Sequence, residues 1–242
     1  MPRLQRWRGV ALVAAVAAVT VWLAASGQLV LYIHPRYIVF TVAMAVAALL
    51  LAVAAAIVVP RDDAPERPTR IGVVALGVSA LFVLGVVALP PATLSAETAA
   101  QRDIAGGIAG TPAQSVDDAA GASAETFSNF TVVDWASLLR QTADPAFYDG
   151  KPVDVVGFVV PDPDAPDLFY VSRFVVTCCA VDAQPTGVPV YLPGWQDRFE
   201  TDAWVQVTGE FASNPSPASA HPLAVAPQDV VTVEQPDEPY LF

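Results

Sequence analysis

Hydrophobic residues follow two different patterns along the chain, one before and one after about residue 90. The first part contains three uncharged apolar runs, 9–33, 37–59 and 71–89, without the polar stripe of a soluble core helix. Each run reaches or nearly reaches the roughly 20 residues that a helix needs to cross a bilayer. We therefore predict a membrane domain of three transmembrane helices over residues 1–90. A cleaved signal peptide is the alternative for the first run, because its start is basic and small residues follow it.

After residue 128 the pattern changes to short runs of β-branched and aromatic residues, separated by turn residues. The stretch TVVDWASLLRQTADP, from 131 to 145, places Val133, Trp135 and Leu138 at helical spacing and predicts one short helix. One helix and five strands favour a small OB-like five-stranded β-barrel over residues 129–242, with a β-sandwich as the alternative. The five predicted strands lie at 151–160, 168–179, 188–193, 203–212 and 223–233.

Residues 91–128 connect these two parts and are rich in Ala, Gly, Ser and Thr, with scattered acidic residues. Such a composition offers few large apolar side chains for a core and is typical of flexible chain. We therefore predict a flexible linker between the membrane domain and the β-domain.

Charge is distributed unevenly between the two parts. Before residue 92 there are seven arginines and three acidic residues, whereas after it there are five basic and twenty-one acidic residues, a net charge of −16. The arginines cluster at the N-terminus and in the loop 61–70, and basic segments stay on the cytoplasmic side of a membrane. Three crossings would place the C-terminal domain outside the cell. Its acidic surface would repel phosphates, so we expect no nucleic-acid partner.

The only two cysteines, Cys178 and Cys179, are neighbours at the end of an apolar run, and Asp182 follows three positions later. Two thiolates and a carboxylate suit zinc or a similar divalent ion, with His34 or His221 as a fourth ligand. Neighbouring side chains in a regular strand point to opposite faces of the sheet. Both sulfurs would therefore reach one ion only if the strand ends between them.

Other interpretations of the cysteine pair stay open. The two side chains could be small buried groups of the core, or they could form a strained disulfide between neighbours that responds to redox conditions. One thiol could act as a nucleophile beside a base, or the pair could bond to another protein.

Arg173 lies inside the second predicted strand, where a charge needs a partner, and Asp182 or Asp154 is the predicted one. The sequence has no Walker loop, Rossmann glycines, serine-hydrolase elbow or HExxH motif. A protein that is not an enzyme is therefore predicted.

Five segments together resemble one family: SGQLVLYIHPRY, LPPATLSAETAAQR, FYDGKPVDVVGFV, RFVVTCCAVDAQPTGVPV and WVQVTGEF. It is the uncharacterised family of permease subunits of Gram-positive bacteria, whose members pair with a separate, larger predicted permease. The resemblance also implies a link to divalent-metal supply, zinc above all. The positions that it marks are Arg173, Cys178, Cys179, Asp182 and Ala183, with a framework of Gly150, Lys151, Val153, Gly157, Trp204, Val205 and Gly209.

The sequence as a whole predicts a non-enzymatic accessory subunit of a permease in the cell membrane. Its outer domain would handle a divalent metal such as zinc at Cys178, Cys179 and Asp182. Two alternatives are a redox-responsive protein that uses the cysteine pair and a purely structural partner of the permease.

Overall fold

The computed structural model of the chain describes residues 3–58, 77–78, 81, 84–85, 93–102, 104 and 115–242. The chain divides into two compact units, Met1–Ala92 and Thr93–Phe242. The three-part division predicted from the sequence stays a prediction.

Two long helices form most of the described part of the first unit: α1 (Arg3–Ala25) and α2 (Ile38–Val58). The chain leaves α1 at Gly27, which adopts the left-handed conformation with a φ of 76°. Short 3₁₀ turns at Gln28–Leu31 and Pro35–Tyr37 then lead into α2. The two helices pack against each other, while large apolar side chains of α2 such as that of Phe40 are exposed.

The prediction of three transmembrane helices is wrong. Within the described residues, one helical stretch, Pro35–Ala55, is long and apolar enough to cross a membrane, with a mean hydropathy of 2.7. The first predicted run is broken at Gly27, so its apolar helical part, Gly9–Ala25, is shorter. Most of the third run, 71–89, lies outside the described residues. One such helix near the N-terminus is a limited sign of membrane anchoring, and a multi-pass arrangement is not supported.

The second unit is built around one six-stranded sheet. Its strands are β1 (Pro152–Pro161), β2 (Leu168–Val175), β3 (Gln184–Tyr191), β4 (Trp204–Ser213), β5 (Leu223–Thr232) and β6 (Tyr240–Leu241). Its described helices are α3 (Ala96–Ala100), α4 (Val116–Ala120), α5 (Ala124–Phe127), α6 (Val132–Gln141) and α7 (Pro145–Tyr148).

The strand pairing closes on itself, because β1 pairs with both β4 and β2. The neighbours are antiparallel except at two places: β3 meets β5 in parallel at Val190 and Val225, and β6 runs parallel to β2. The predicted fold of a five-stranded OB-like barrel with one helix is therefore wrong, since the sheet has six strands of mixed direction and several more helices. A strand as short as β6 has no hydrophobic period that a sequence pattern could reveal.

Glycines occur where two strands of the sheet approach most closely. A Cβ on Gly157 would lie 2.5 Å from the carbonyl oxygen of Ser172, and one on Gly209 would lie 2.4 Å from that of Ala226. The register of β4 and β5 also shifts between Thr208 and Gly209. Both glycines thus allow the tight strand crossings that close the sheet.

Aromatic side chains of the short helices pack with strand residues in one core. The Trp135 ring on α6 lies 5.1 Å from the Phe211 ring and 5.7 Å from the Phe127 ring, and Tyr148 on α7 joins the cluster. The predicted helix over 131–145 is thus present as α6 and α7, and Trp135 is fully buried.

The described residues between 93 and 127 contact the sheet. The backbone N–H of Leu94 donates to the Tyr240 hydroxyl at 3.0 Å, and that of Ala96 donates to the Asp202 carboxylate. Ala99 of α3 and Phe127 of α5 are buried. Parts of the segment predicted as a linker therefore pack as small helices on the second unit.

Candidate metal site

The turn between β2 and β3 carries both cysteines and Asp182. Strand β2 ends at Val175, and a 3₁₀ turn at Ala180–Asp182 leads into β3. At the two ends of the turn, Val176 and Ala183 are 2% and 0% exposed, so the buried core fixes them. Cys178 is exposed, and Cys179 is partly buried.

The two sulfur atoms lie on the same side of the turn, because the strand has ended before Cys178. Their Sγ atoms are 3.2 Å apart, and both cysteines are free. The sequence required the strand to end between the two cysteines; it ends at Val175, four residues before the predicted end at 179, so both cysteines lie in the turn.

The carboxylate of Asp182 closes the turn by accepting three backbone hydrogen bonds. Its Oδ1 accepts from the N–H groups of Thr177 and Cys179 at 3.2 and 3.3 Å, and its Oδ2 accepts from that of Cys178 at 2.8 Å. These bonds explain why an acid follows the pair at this spacing.

Three potential metal ligands meet in this turn. The sulfurs of Cys178 and Cys179 and a carboxylate oxygen of Asp182 all lie within 4.8 Å of one another. Among the described residues, this group consists of these three side chains. Its two soft sulfur donors and one oxygen donor suit zinc and similar thiophilic divalent ions better than magnesium or calcium.

The charges in the turn favour a protonated thiol beside an ionised acid. Hydrogen bonds to the Cys179 thiol and to the Asp182 carboxylate raise the pKa of Cys178 to about 12. Desolvation acts to raise the pKa of Asp182, but hydrogen bonds from Cys178, Cys179 and Thr177 outweigh it and lower that pKa. Asp182 is thus a carboxylate at neutral pH. A bound dication would reverse the balance at Cys178, because it stabilises the thiolate.

Arg173 does not pair with either predicted carboxylate. Its guanidinium, 9% exposed, donates to the carbonyls of Glu238 at 2.6 Å, Pro239 at 2.9 Å and Val156 at 3.4 Å. Its Cζ also lies 5.1 Å from the centre of the Trp204 ring. Asp154 accepts instead from Gln206, at 2.7 Å, while Asp182 holds the turn.

Arg173 thereby joins β1 to the C-terminal segment that forms β6. The N–H of Val176 adds a bond of 2.9 Å to the Leu241 carbonyl, beside the metal-site turn. This C-terminal support could not be predicted from the sequence, since backbone carbonyl partners leave no signal in residue type. Arg173 is therefore a structural residue that fixes the strand leading to the cysteines.

The candidate fourth ligands, His34 and His221, are not members of the described ligand group. His34 belongs to the first unit, where its Nδ1 accepts from the Arg36 N–H at 3.2 Å. The Nε2 of His221 is hydrogen-bonded to the Tyr170 hydroxyl at 2.8 Å, and that hydroxyl donates to Asp162 at 3.0 Å.

Framework positions marked by the resemblance have packing or turn roles. Gly150 has a φ of 69°, in the turn before β1, and the ammonium of Lys151 lies 4.4 Å from the Phe147 ring centre. Val153 and Val205 are buried in the core.

The fold and the turn define a class of protein: an apolar helical unit followed by a β-sheet unit that presents a Cys-Cys-x-x-Asp ligand group. Family models match both parts, the DUF1980 N-terminal domain over residues 8–105 and the DUF1980 C-terminal domain over residues 122–242. The chain belongs to this uncharacterised family, and the permease pairing and the motif implied by the resemblance stay predictions. No curated protein and no solved structure matches the chain.

Replacing Arg173 by alanine should lower the free energy of unfolding of the second unit by about 3 kcal/mol, because buried carbonyls lose their donor and a cavity forms. The measurement is urea unfolding followed by tryptophan fluorescence, together with carboxypeptidase release of the C-terminal residues, which should accelerate. Arg198→Ala is the matched control, since that exposed side chain makes a single bond of 3.5 Å to Val230. Equal unfolding midpoints for the two variants would contradict the role given to Arg173.

Replacing Cys179 by alanine should lower the pKa of Cys178, because it removes the largest cause of the raised value. More Cys178 is then thiolate in mildly alkaline buffer, and its reaction with iodoacetamide, followed by mass spectrometry across a pH series, should be faster. Asp182→Asn should shift the profile in the same direction, whereas Asp164→Asn, in an exposed part of another loop, should leave it unchanged. If the pH profile of Cys178 alkylation is the same in all three variants, this account of the turn is refuted.

Proposed function

We propose that the protein is a non-enzymatic accessory subunit of a membrane permease, and that its second unit binds a thiophilic divalent ion, zinc in the first place. The observation that carries the proposal is the group of two sulfurs and one carboxylate within 4.8 Å of one another. The ligands would be Cys178, Cys179 and Asp182.

The hydrogen bonds of Asp182 leave one oxygen suited to the ion. A carboxylate has about four lone-pair positions, and the Oδ1 atom uses two of them on the N–H groups of Thr177 and Cys179. The Oδ2 atom accepts one backbone N–H, that of Cys178. Oδ2 is therefore the oxygen that would bind the ion, while the turn keeps its backbone hydrogen bonds.

The same charges argue against an enzyme that uses a cysteine nucleophile. A reactive cysteine needs a lowered pKa and a neighbouring base or cation. Cys178 has a raised pKa and a carboxylate beside it. Cation binding fits these groups better than nucleophilic catalysis does.

The proposal of a permease partner rests on the family resemblance and on the apolar first unit. The helical stretch Pro35–Ala55 is long and apolar enough to anchor the chain in a membrane. The placement of the second unit outside the cell, which the sequence predicted from three crossings, is not part of this proposal, because a multi-pass arrangement is not supported.

Zinc binding is tested on the full-length chain in detergent. The chain should bind one zinc ion, and zinc should protect both thiols from a thiol reagent until a chelator is added. Cys178→Ser and Asp182→Asn should each weaken binding by at least about tenfold, whereas the matched control Asp164→Asn should bind like the unchanged chain. Thiols that react equally with and without zinc would contradict the proposal.

A redox role is the second candidate, and the 3.2 Å contact between the sulfurs favours it. In this reaction an external disulfide takes two electrons and two protons from the thiols, leaving two external thiols and a Cys178–Cys179 disulfide. The same preparation distinguishes the two: a mass lighter by two hydrogens, restored by mild reductant, supports the redox role. Unreactive thiols that respond to neither metal nor reductant would support a purely structural subunit.

The partner is tested by copurification. A tagged full-length chain, solubilised in mild detergent from its own host, should retain a larger integral membrane protein. The N-terminal unit alone should retain it less well if the second unit takes part in the contact. If the chain is isolated by itself, in a detergent in which it remains folded, the pairing is contradicted.

A further inference from the structure

We propose that the ion at Cys178, Cys179 and Asp182 takes its fourth ligand from an imidazole on a neutral or basic surface of a partner protein. This inference rests on the metal binding proposed above and adds the chemistry of the partner. It makes the turn a site of metal exchange between two proteins, and not a closed structural site.

The number of ligands is the first argument. Zinc in a structural protein site is bound by four protein ligands, whereas an exchangeable or catalytic site leaves one position for another molecule. The group in the described part of the chain supplies three. All three come from five consecutive residues, 178–182, so one short turn provides the whole half-site.

Exposure of the turn is the second argument. Cys178 is exposed, and Val181, between the cysteines and Asp182, is 84% exposed. By contrast, the flanking residues Val176 and Ala183 are buried. The ligands therefore lie in an exposed turn between two buried ends, where a partner can approach the ion.

Charge decides between the possible fourth ligands. Two thiolates and a carboxylate around a dication leave one negative charge, within a unit whose net charge is −16. A third thiolate or a second carboxylate would bring a further negative charge and would be repelled, whereas a neutral imidazole would not. The same net charge disfavours a second copy of this chain as the partner and favours a neutral or basic surface.

Cobalt(II) provides the test, because its absorption reports ligand type and coordination number separately. The full-length chain in detergent is titrated with cobalt, first alone and then with free imidazole as the probe, and acetate serves as the anionic control. A sulfur-to-cobalt charge-transfer band, lost in Cys178→Ser, shows that the thiolates bind the ion. We expect imidazole to replace the water in the fourth position and thereby to shift the visible bands, and acetate to leave them unchanged.

The outcomes separate this inference from the proposed function. If the charge-transfer band does not form, the metal site itself is refuted. If the band forms but imidazole does not change the visible spectrum, the fourth ligand comes from this chain, and the partner inference is overturned. A cobalt complex with one ion for two chains and a dimer in sedimentation would overturn it in favour of a second copy.

Discussion

The hydrogen bonds of the Asp182 carboxylate are the interaction on which the candidate site depends. The N–H groups of Thr177, Cys178 and Cys179 all donate to this one carboxylate. By accepting all three, one side chain sets the backbone of the turn and brings both sulfurs to one side. The hydrogen bonds to the peptide backbone therefore hold the ligand group together without an ion. Such a preorganised site loses less conformational entropy on binding.

The rest of the second unit holds the two ends of that turn in place. Val176 is buried and bonded to Leu241, and Ala183 is fully buried at the start of β3. Arg173 joins the strand before the turn to the carbonyls of the C-terminal segment, five residues before Cys178. The exposed residues lie between these fixed points, which is where a ligand has to enter and leave.

The sequence predicts local features of this structure better than distant ones. The helix at Trp135, the five longer strands and the grouping of the cysteines with Asp182 all follow from periodicity or from spacing within a few residues. The break at Gly27 was missed, because an uninterrupted apolar run conceals a left-handed residue. The C-terminal strand and the partners of Arg173 were missed because backbone carbonyls far along the chain leave no mark in residue type.

The exposure of the turn distinguishes this site from a zinc site that stabilises a fold. The second unit already has a continuous core and a strand circuit that closes through β1, so no metal is needed to hold its elements together. A structural ion would be buried and fully ligated by the protein, since its binding energy is then folding energy. Here the ligands lie in the same turn as Val181, which is 84% exposed. The free energy of metal binding would therefore not be needed to stabilise the fold. An ion held by three ligands at such a surface would be able to pass to a competing ligand through a shared intermediate, which is what the proposed accessory role would require.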